Sequence, residues 1–87
     1  MGVGGNVPGN GVMICESRGW ILFLQDGDHD RWLSLKLVSK VPRKKANYWL
    51  GWSLDERRLA GGKDAVILDK HAPEVFDWVV EVMSERA

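Results

Sequence analysis

The sequence has a single cysteine, Cys15, in 87 residues, and therefore cannot form an internal disulfide. This excludes the small secreted domains that rely on disulfides, and it indicates a reducing compartment such as the cytoplasm. Long apolar runs are also lacking: the longest covers residues 20–24, far short of the roughly 20 residues that span a membrane. The N-terminus has neither the basic nor the apolar region of a signal peptide. We therefore expect a cytoplasmic protein that does not bind membranes.

Residue types that carry catalysis are few. Nucleophilic catalysis would need Cys15 beside His29 or His71, and the spacing of these residues matches no known signature. Cys15 lies in the apolar run VMIC, where we expect it to be a small buried residue. We therefore predict no enzymatic activity, no cofactor and no small-molecule substrate.

Three aspartates alternate in the segment 26–30, which reads DGDHD and invites comparison with a calcium loop. An EF-hand loop that began at Asp26 would need Gly at its sixth position and Glu at its twelfth. The sequence has Arg31 and Leu37 at those positions. Because Asp-Gly is a strong turn signal, we predict a solvated acidic turn here and no metal site.

What the chain has in quantity is tryptophan, with five in a sequence that is 45% apolar and 28% charged. These fractions are typical of a folded globular protein, and the length is that of one domain. Residues 1–11 contain five Gly, one Pro and two Asn, too little apolar surface to offset the entropy of ordering. We predict a flexible Gly-rich tail over residues 1–11 and a single small domain over residues 12–87.

Short segments rich in apolar and β-branched residues predict an antiparallel sheet. Strands are expected at residues 12–17, 20–24, 31–41 and 47–54, with a short edge strand at residues 58–60. In the third segment, Leu33, Leu35 and Leu37 share one face, which indicates that this face is buried and the other is partly wet. Gly51 in the fourth segment leaves room for a neighbouring ring or backbone.

Two helices are predicted after the strands. The first covers residues 63–70, although the run VIL within it would also suit a strand. The second begins at Pro73, a residue that suits the first helical turn. Four apolar residues of the second helix recur at helical spacing and should form the lid of the core: Phe76, Val79, Val80 and Met83. The predicted class is α+β, an antiparallel meander of three to five strands followed by one or two C-terminal helices packed on one sheet face.

Charge is zero overall but unevenly distributed along the chain. The net charge is −3 over residues 1–30, +7 over residues 31–63 and −4 over residues 64–87. Acidic helices that neutralise a basic sheet would explain this pattern, and so would a basic face for a partner. The sequence leaves these two explanations open.

One helical layer can cover only one face of a sheet, yet tryptophans occur on both predicted faces. The face opposite the three leucines carries four residues that we predict to bind a partner: Trp32, Lys36, Val38 and Trp49. We expect a small non-enzymatic module that binds a protein, or a second copy of itself as a homodimer, through this Trp-containing face.

The alternative is a nucleic-acid-binding module. Its candidate residues are the basic hairpin and the aromatic residue beside it: Lys40, Arg43, Lys44, Lys45 and Tyr48. Basic side chains bind phosphate and aromatic rings stack on bases. Against this, a pI near 6.7 is low for a dedicated nucleic-acid-binding domain.

Overall fold

The computed structural model describes residues 11–26, 31–40, 47–60 and 62–86, apart from the side chain of Asp26. Five strands precede two helices: β1 (Val12–Ser17), β2 (Trp20–Asp26), β3 (Trp32–Ser39), β4 (Asn47–Ser53), β5 (Arg58–Ala60), α1 (Lys63–His71) and α2 (Pro73–Arg86). The predicted α+β class, with strands first and helices last, is confirmed.

The five strands form one sheet in the order β1-β2-β3-β4-β5, and every neighbouring pair is antiparallel. The β1–β2 connection is a two-residue turn in which Arg18 and Gly19 both have positive φ, 55° and 87°. Turns with two positive φ angles match the twist of antiparallel strands. The all-apolar segment at residues 20–24 is part of β2, which lies inside the sheet between β1 and β3.

The hydrophobic core lies between one face of the sheet and the two helices. Register aligns Leu22 with Leu37, Leu37 with Tyr48, and Leu35 with Leu50, so these side chains form continuous rows across the sheet. They pack with residues from α1 and α2 in one buried cluster. We call this helix-packed side of the sheet the covered face. Burial of such side chains, each contributing about 1.5–3 kcal/mol, is the main source of stability for a domain this small.

The helices contribute Ala65 and Leu68 from α1 and Val75, Val79 and Met83 from α2 to this core. Burial of Val79 and Met83 is as predicted, whereas Phe76 and Val80 are only half-buried against the edge of the cluster. The difference follows from rotation of the helix, because Val75 takes the position nearest the sheet.

Two polar contacts tie the helices to the sheet. The Trp49 backbone N–H donates to Asp64 Oδ2 at 2.9 Å, which joins the first turn of α1 to β4. The Arg57 guanidinium donates to the Ser84 carbonyl at 2.8 Å in the last turn of α2, where a cation favours the helix dipole. Arg57 has a φ of 55° at the end of the β4–β5 turn.

Part of the sequence-based picture lies outside the described residues. This applies to residues 1–10 of the predicted tail, to residues 27–30 of the acidic turn and to residues 41–46 of the basic hairpin. Gly11, the last residue of the predicted tail, is described and buried. Neither described helix has the length and apolar character needed to cross a membrane.

Candidate interaction surface

The side of the sheet opposite the helices is called the uncovered face. Among the described residues, no helix or strand packs against it. Its apolar side chains come from four strands: Met13, Ile21, Phe23, Trp32, Val38 and Trp49. A sheet with a solvated side normally alternates apolar-in and polar-out, and here both sides carry apolar residues. The face is therefore a candidate interaction surface.

The four residues predicted to bind a partner all lie on this face. Lys36 pairs directly with Trp49 in the β3–β4 register. Trp32 and Val38 lie on the same side of β3, because residues two apart share a face. Trp49 is 50% exposed and Trp32 is 38% exposed, so both indoles meet solvent.

Trp32 lies against Gly51 of the neighbouring strand. A Cβ atom at Gly51 would sit 3.4 Å from Cε3 of Trp32 and 3.0 Å from the carbonyl oxygen of Ala60. Glycine therefore leaves room for an indole against β4, as expected for glycine in a strand. The ring that occupies this space belongs to Trp32.

Lys36 stands on the central strand, not at the rim of the face. Its Nζ lies 4.7 Å from the centroid of the Trp49 ring, which is a cation–π contact. None of the described acids forms an ion pair with Lys36. The ammonium group of Lys36 therefore contacts the Trp49 ring in the middle of an apolar surface.

Sequence reasoning missed three contributors to the face. Phe23 pairs with Met13 on one side and Lys36 on the other, and Ile21 pairs with Val38. Phe23 is 5% exposed, although it does not belong to the cluster on the covered face. Because residues 20–24 are all apolar, only the alternation rule, counted from Leu22, could have assigned Ile21 and Phe23 to this side.

The residues proposed for nucleic acid are only partly placed. Lys40 donates to Glu16 Oε2 at 2.6 Å and forms an exposed ion pair. Tyr48 faces the helices with 6% exposure and packs against Trp20 at a centroid distance of 6.0 Å. Trp49, not Tyr48, is therefore the ring that β4 presents to solvent. Arg43, Lys44 and Lys45 lie outside the described residues.

A metal centre finds no support in the part of the chain that is described, where no three His, Cys, Asp or Glu side chains are grouped to hold an ion. Cys15 is a half-buried free thiol on β1.

Compared with known proteins, the chain matches no protein-family model, no curated protein sequence and no solved structure.

Proposed function

We propose that this chain is a small non-enzymatic protein-interaction module that binds a second copy of itself through the uncovered face. The observation that carries the proposal is the exposure of Trp32 and Trp49 on a sheet face that no described element covers. Water solvates such a patch poorly, so association that removes it from water is favourable.

The size of the face fits a weak dimer. Five strands of three to eight residues, spaced about 4.8 Å apart with a rise of about 3.4 Å per residue, give a face of about 500 Å². Two such faces together bury about 1,000 Å², the lower limit for a specific interface. A two-fold interface needs only one patch that is complementary to itself.

Lys36 limits how the two faces can meet, because two lysines in direct opposition would repel. A two-fold axis that lies in the plane of the interface, perpendicular to β3 and over Leu35, avoids this repulsion. It places Lys36 opposite Ser34 of the second copy and Trp49 opposite Gly51, since Ser34 pairs with Gly51 in the register. The Trp49 indole then packs against the Trp32 ring of the second copy, which lies beside Gly51. Face-to-face sheets commonly pack with their strands nearly aligned, as this axis requires.

The test is the mass of the protein in sedimentation at tens of micromolar. We expect the parent chain at dimer mass and the double variant Trp32→Ser, Trp49→Ser, still folded, at monomer mass. The matched control is Leu54→Ser, Val66→Ser, which removes two other exposed apolar side chains that lie off this face. The control should remain a dimer.

The arrangement of the two copies has its own test in a Cys15→Ser background. An equal mixture of Ser34→Cys and Lys36→Cys chains, treated with a short bismaleimide, should give cross-linked heterodimer well above the twofold ratio to either homodimer that random pairing alone produces. A monomeric parent would overturn the proposal of self-association. A dimer that the control variant disrupts would show that the copies associate through another surface.

Nucleic acid is the second candidate, favoured by the contact between the Lys36 ammonium and the exposed Trp49 ring. A cation beside an accessible aromatic ring is the arrangement that binds single strands. Gel shifts with single- and double-stranded DNA and RNA at low salt test it. Binding should weaken with salt, and Arg43→Gln, Lys44→Gln, Lys45→Gln should reduce the salt slope by about three. No shift at tens of micromolar protein would remove this candidate.

A further inference from the structure

A second surface lies at the edge of the sheet, between the edge strand β5 and helix α1. It is an open cavity of about 470 Å³. Its lining comes from both elements and from α2: Leu59, Ala60, Ala65, Val66, Asp69 and Phe76 are among the residues that form it. Val66 is 68% exposed, the largest exposure among the large hydrophobic side chains of the described residues.

The direction of the backbone groups of β5 follows from one hydrogen bond. The Trp49 N–H donates to Asp64 and so points away from β3, toward the side of β4 where β5 lies. Backbone groups in a strand alternate in direction, so those of Gly51 and Ser53 also point toward β5. These two residues pair with Ala60 and Arg58. Leu59, between them, therefore directs its N–H and C=O outward from the sheet edge.

We propose that this edge binds an extended segment of a partner protein by strand addition. An antiparallel strand placed beside β5 would exchange two hydrogen bonds with the N–H and C=O of Leu59. Directly opposed residues share a face, and the Leu59 side chain faces the helices. The residue that pairs with Leu59 therefore directs its side chain into the cavity beside Val66 and Phe76.

These contacts define the chemistry of the segment. The pairing position takes a large aliphatic or aromatic side chain, because the cavity is lined by Leu59, Val66 and Phe76. In an antiparallel strand, the residue two positions before the pairing residue lies beyond Ala60, toward α1. Its side chain returns to the helix side and approaches the exposed carboxylate of Asp69. None of the described cations forms an ion pair with Asp69. A Lys or Arg at that position is the expected complement.

The rest of the sheet perimeter is less suited to strand addition. On β4, beyond the end of β5, the Trp49 N–H is already bonded to Asp64. On β1, a register shift between Met13 and Cys15 interrupts the ladder, and such bulges discourage pairing with another chain. With three residues, β5 offers a short edge, so we expect micromolar to millimolar affinity for a single segment. The site does not depend on the proposed dimer.

The probe is a threonine-rich octapeptide with a central leucine and a lysine two residues before it. Its titration is followed by NMR on the Leu59 amide and the Val66 methyl groups, together with hydrogen exchange of the Leu59 amide. A peptide N-methylated at the central leucine loses the donor to the Leu59 carbonyl and should bind about tenfold more weakly. N-methylation of the adjacent residue, whose N–H points away from β5, should change affinity by less than about twofold and serves as the control.

Protein variants complete the test. Val66→Asp should weaken binding about tenfold, whereas Leu54→Asp, at an exposed position away from the cavity, should not. Asp69→Lys should transfer the preference from the lysine peptide to one with glutamate in its place. The proposal is overturned if no peptide shifts the Leu59 signal at millimolar concentration, or if the two N-methylated peptides bind equally. It is also overturned if protection of Leu59 rises with protein concentration alone, which would assign the edge to a second copy.

Discussion

Trp49 and Trp52 lie three residues apart in β4, on opposite sides of the sheet. Trp52 is 2% exposed within the cluster formed with the helices, and Trp49 is 50% exposed on the uncovered face. Strand alternation separates the two side chains, and the location of α1 and α2 decides which one is buried. The same residue type in the same strand therefore serves the core in one position and remains available for a contact in the other.

The same comparison holds for the two faces as wholes. The covered face is a continuous cluster that explains why the chain folds. The uncovered face carries Trp32 and Trp49, which are 38% and 50% exposed and lie outside that cluster, together with the buried Phe23. Exposed indoles on a sheet face reduce solubility, and this favours a contact with another molecule as the reason for them.

The largest expected effect is the difference between truncations of these two tryptophans. Trp52→Ala should lower the free energy of unfolding by about 3–5 kcal/mol, because it opens a cavity in the core. Trp49→Ala should lower it by less than about 1 kcal/mol, because its ring is half in solvent. Urea denaturation in dilute solution, where association contributes little, measures both. Equal losses would mean that the uncovered face is as important for folding as the covered one.

The next effect concerns the glycine that separates the exposed indoles. Gly51→Ala should lower the free energy of unfolding by about 1–3 kcal/mol, since its new methyl group would meet Ala60 O at 3.0 Å and Trp32 Cε3 at 3.4 Å. The loss should be smaller in a Trp32→Ser background, where one of the two contacts is gone. A double-mutant cycle by urea denaturation gives the coupling. A coupling of zero would mean that the Trp32 ring does not lie over Gly51.

The sequence was sufficient to predict the class of the fold, the five strand segments and the start of α2 at Pro73. Alternation in residues 31–41 and helical spacing after residue 73 are strong local signals, and they carried those predictions. The same alternation placed Trp32, Lys36, Val38 and Trp49 on one side of the sheet, as the register shows.

The features that the sequence did not predict depend on packing between helices and strands. Phe76 and Val75 are both apolar at helical spacing, and only the rotation of α2 against the sheet decides that Val75 is the buried one. The central position of Lys36 required the strand order, and the hydrogen bond from Trp49 to Asp64 required the docking of α1. The cavity beside β5 forms where β5, α1 and α2 meet, and no local sequence pattern predicts it.

A smaller effect is expected where α1 meets the edge of the sheet. Asp64→Ala removes the acceptor of the Trp49 N–H and should lower the free energy of unfolding by about 1 kcal/mol, because the bond is exposed. It should also accelerate hydrogen exchange of the Trp49 amide. Asp69→Ala is the matched control, an acid on the same helix that should leave this amide unchanged. Unchanged exchange in Asp64→Ala would mean that the carboxylate does not protect the β4 edge.

The smallest effect distinguishes two lysines that the sequence treats alike. Lys36 lies over the Trp49 ring at 4.7 Å, and Lys40 bonds to Glu16 at 2.6 Å, both near the surface. Lys36→Gln should lower the free energy of unfolding by about 0.5 kcal/mol in the parent and should not change it in a Trp49→Ala background.

Lys40→Gln should lower the free energy of unfolding by no more than about 0.5 kcal/mol. Salt at about 1 M should abolish that loss, because exposed ion pairs are screened. The coupling of Lys36 to Trp49 should survive the same salt, since the ammonium touches the ring and little solvent lies between them. If salt abolishes both effects, the Lys36 ammonium extends into solvent, and a second sheet could not pack on this face without opposing that charge.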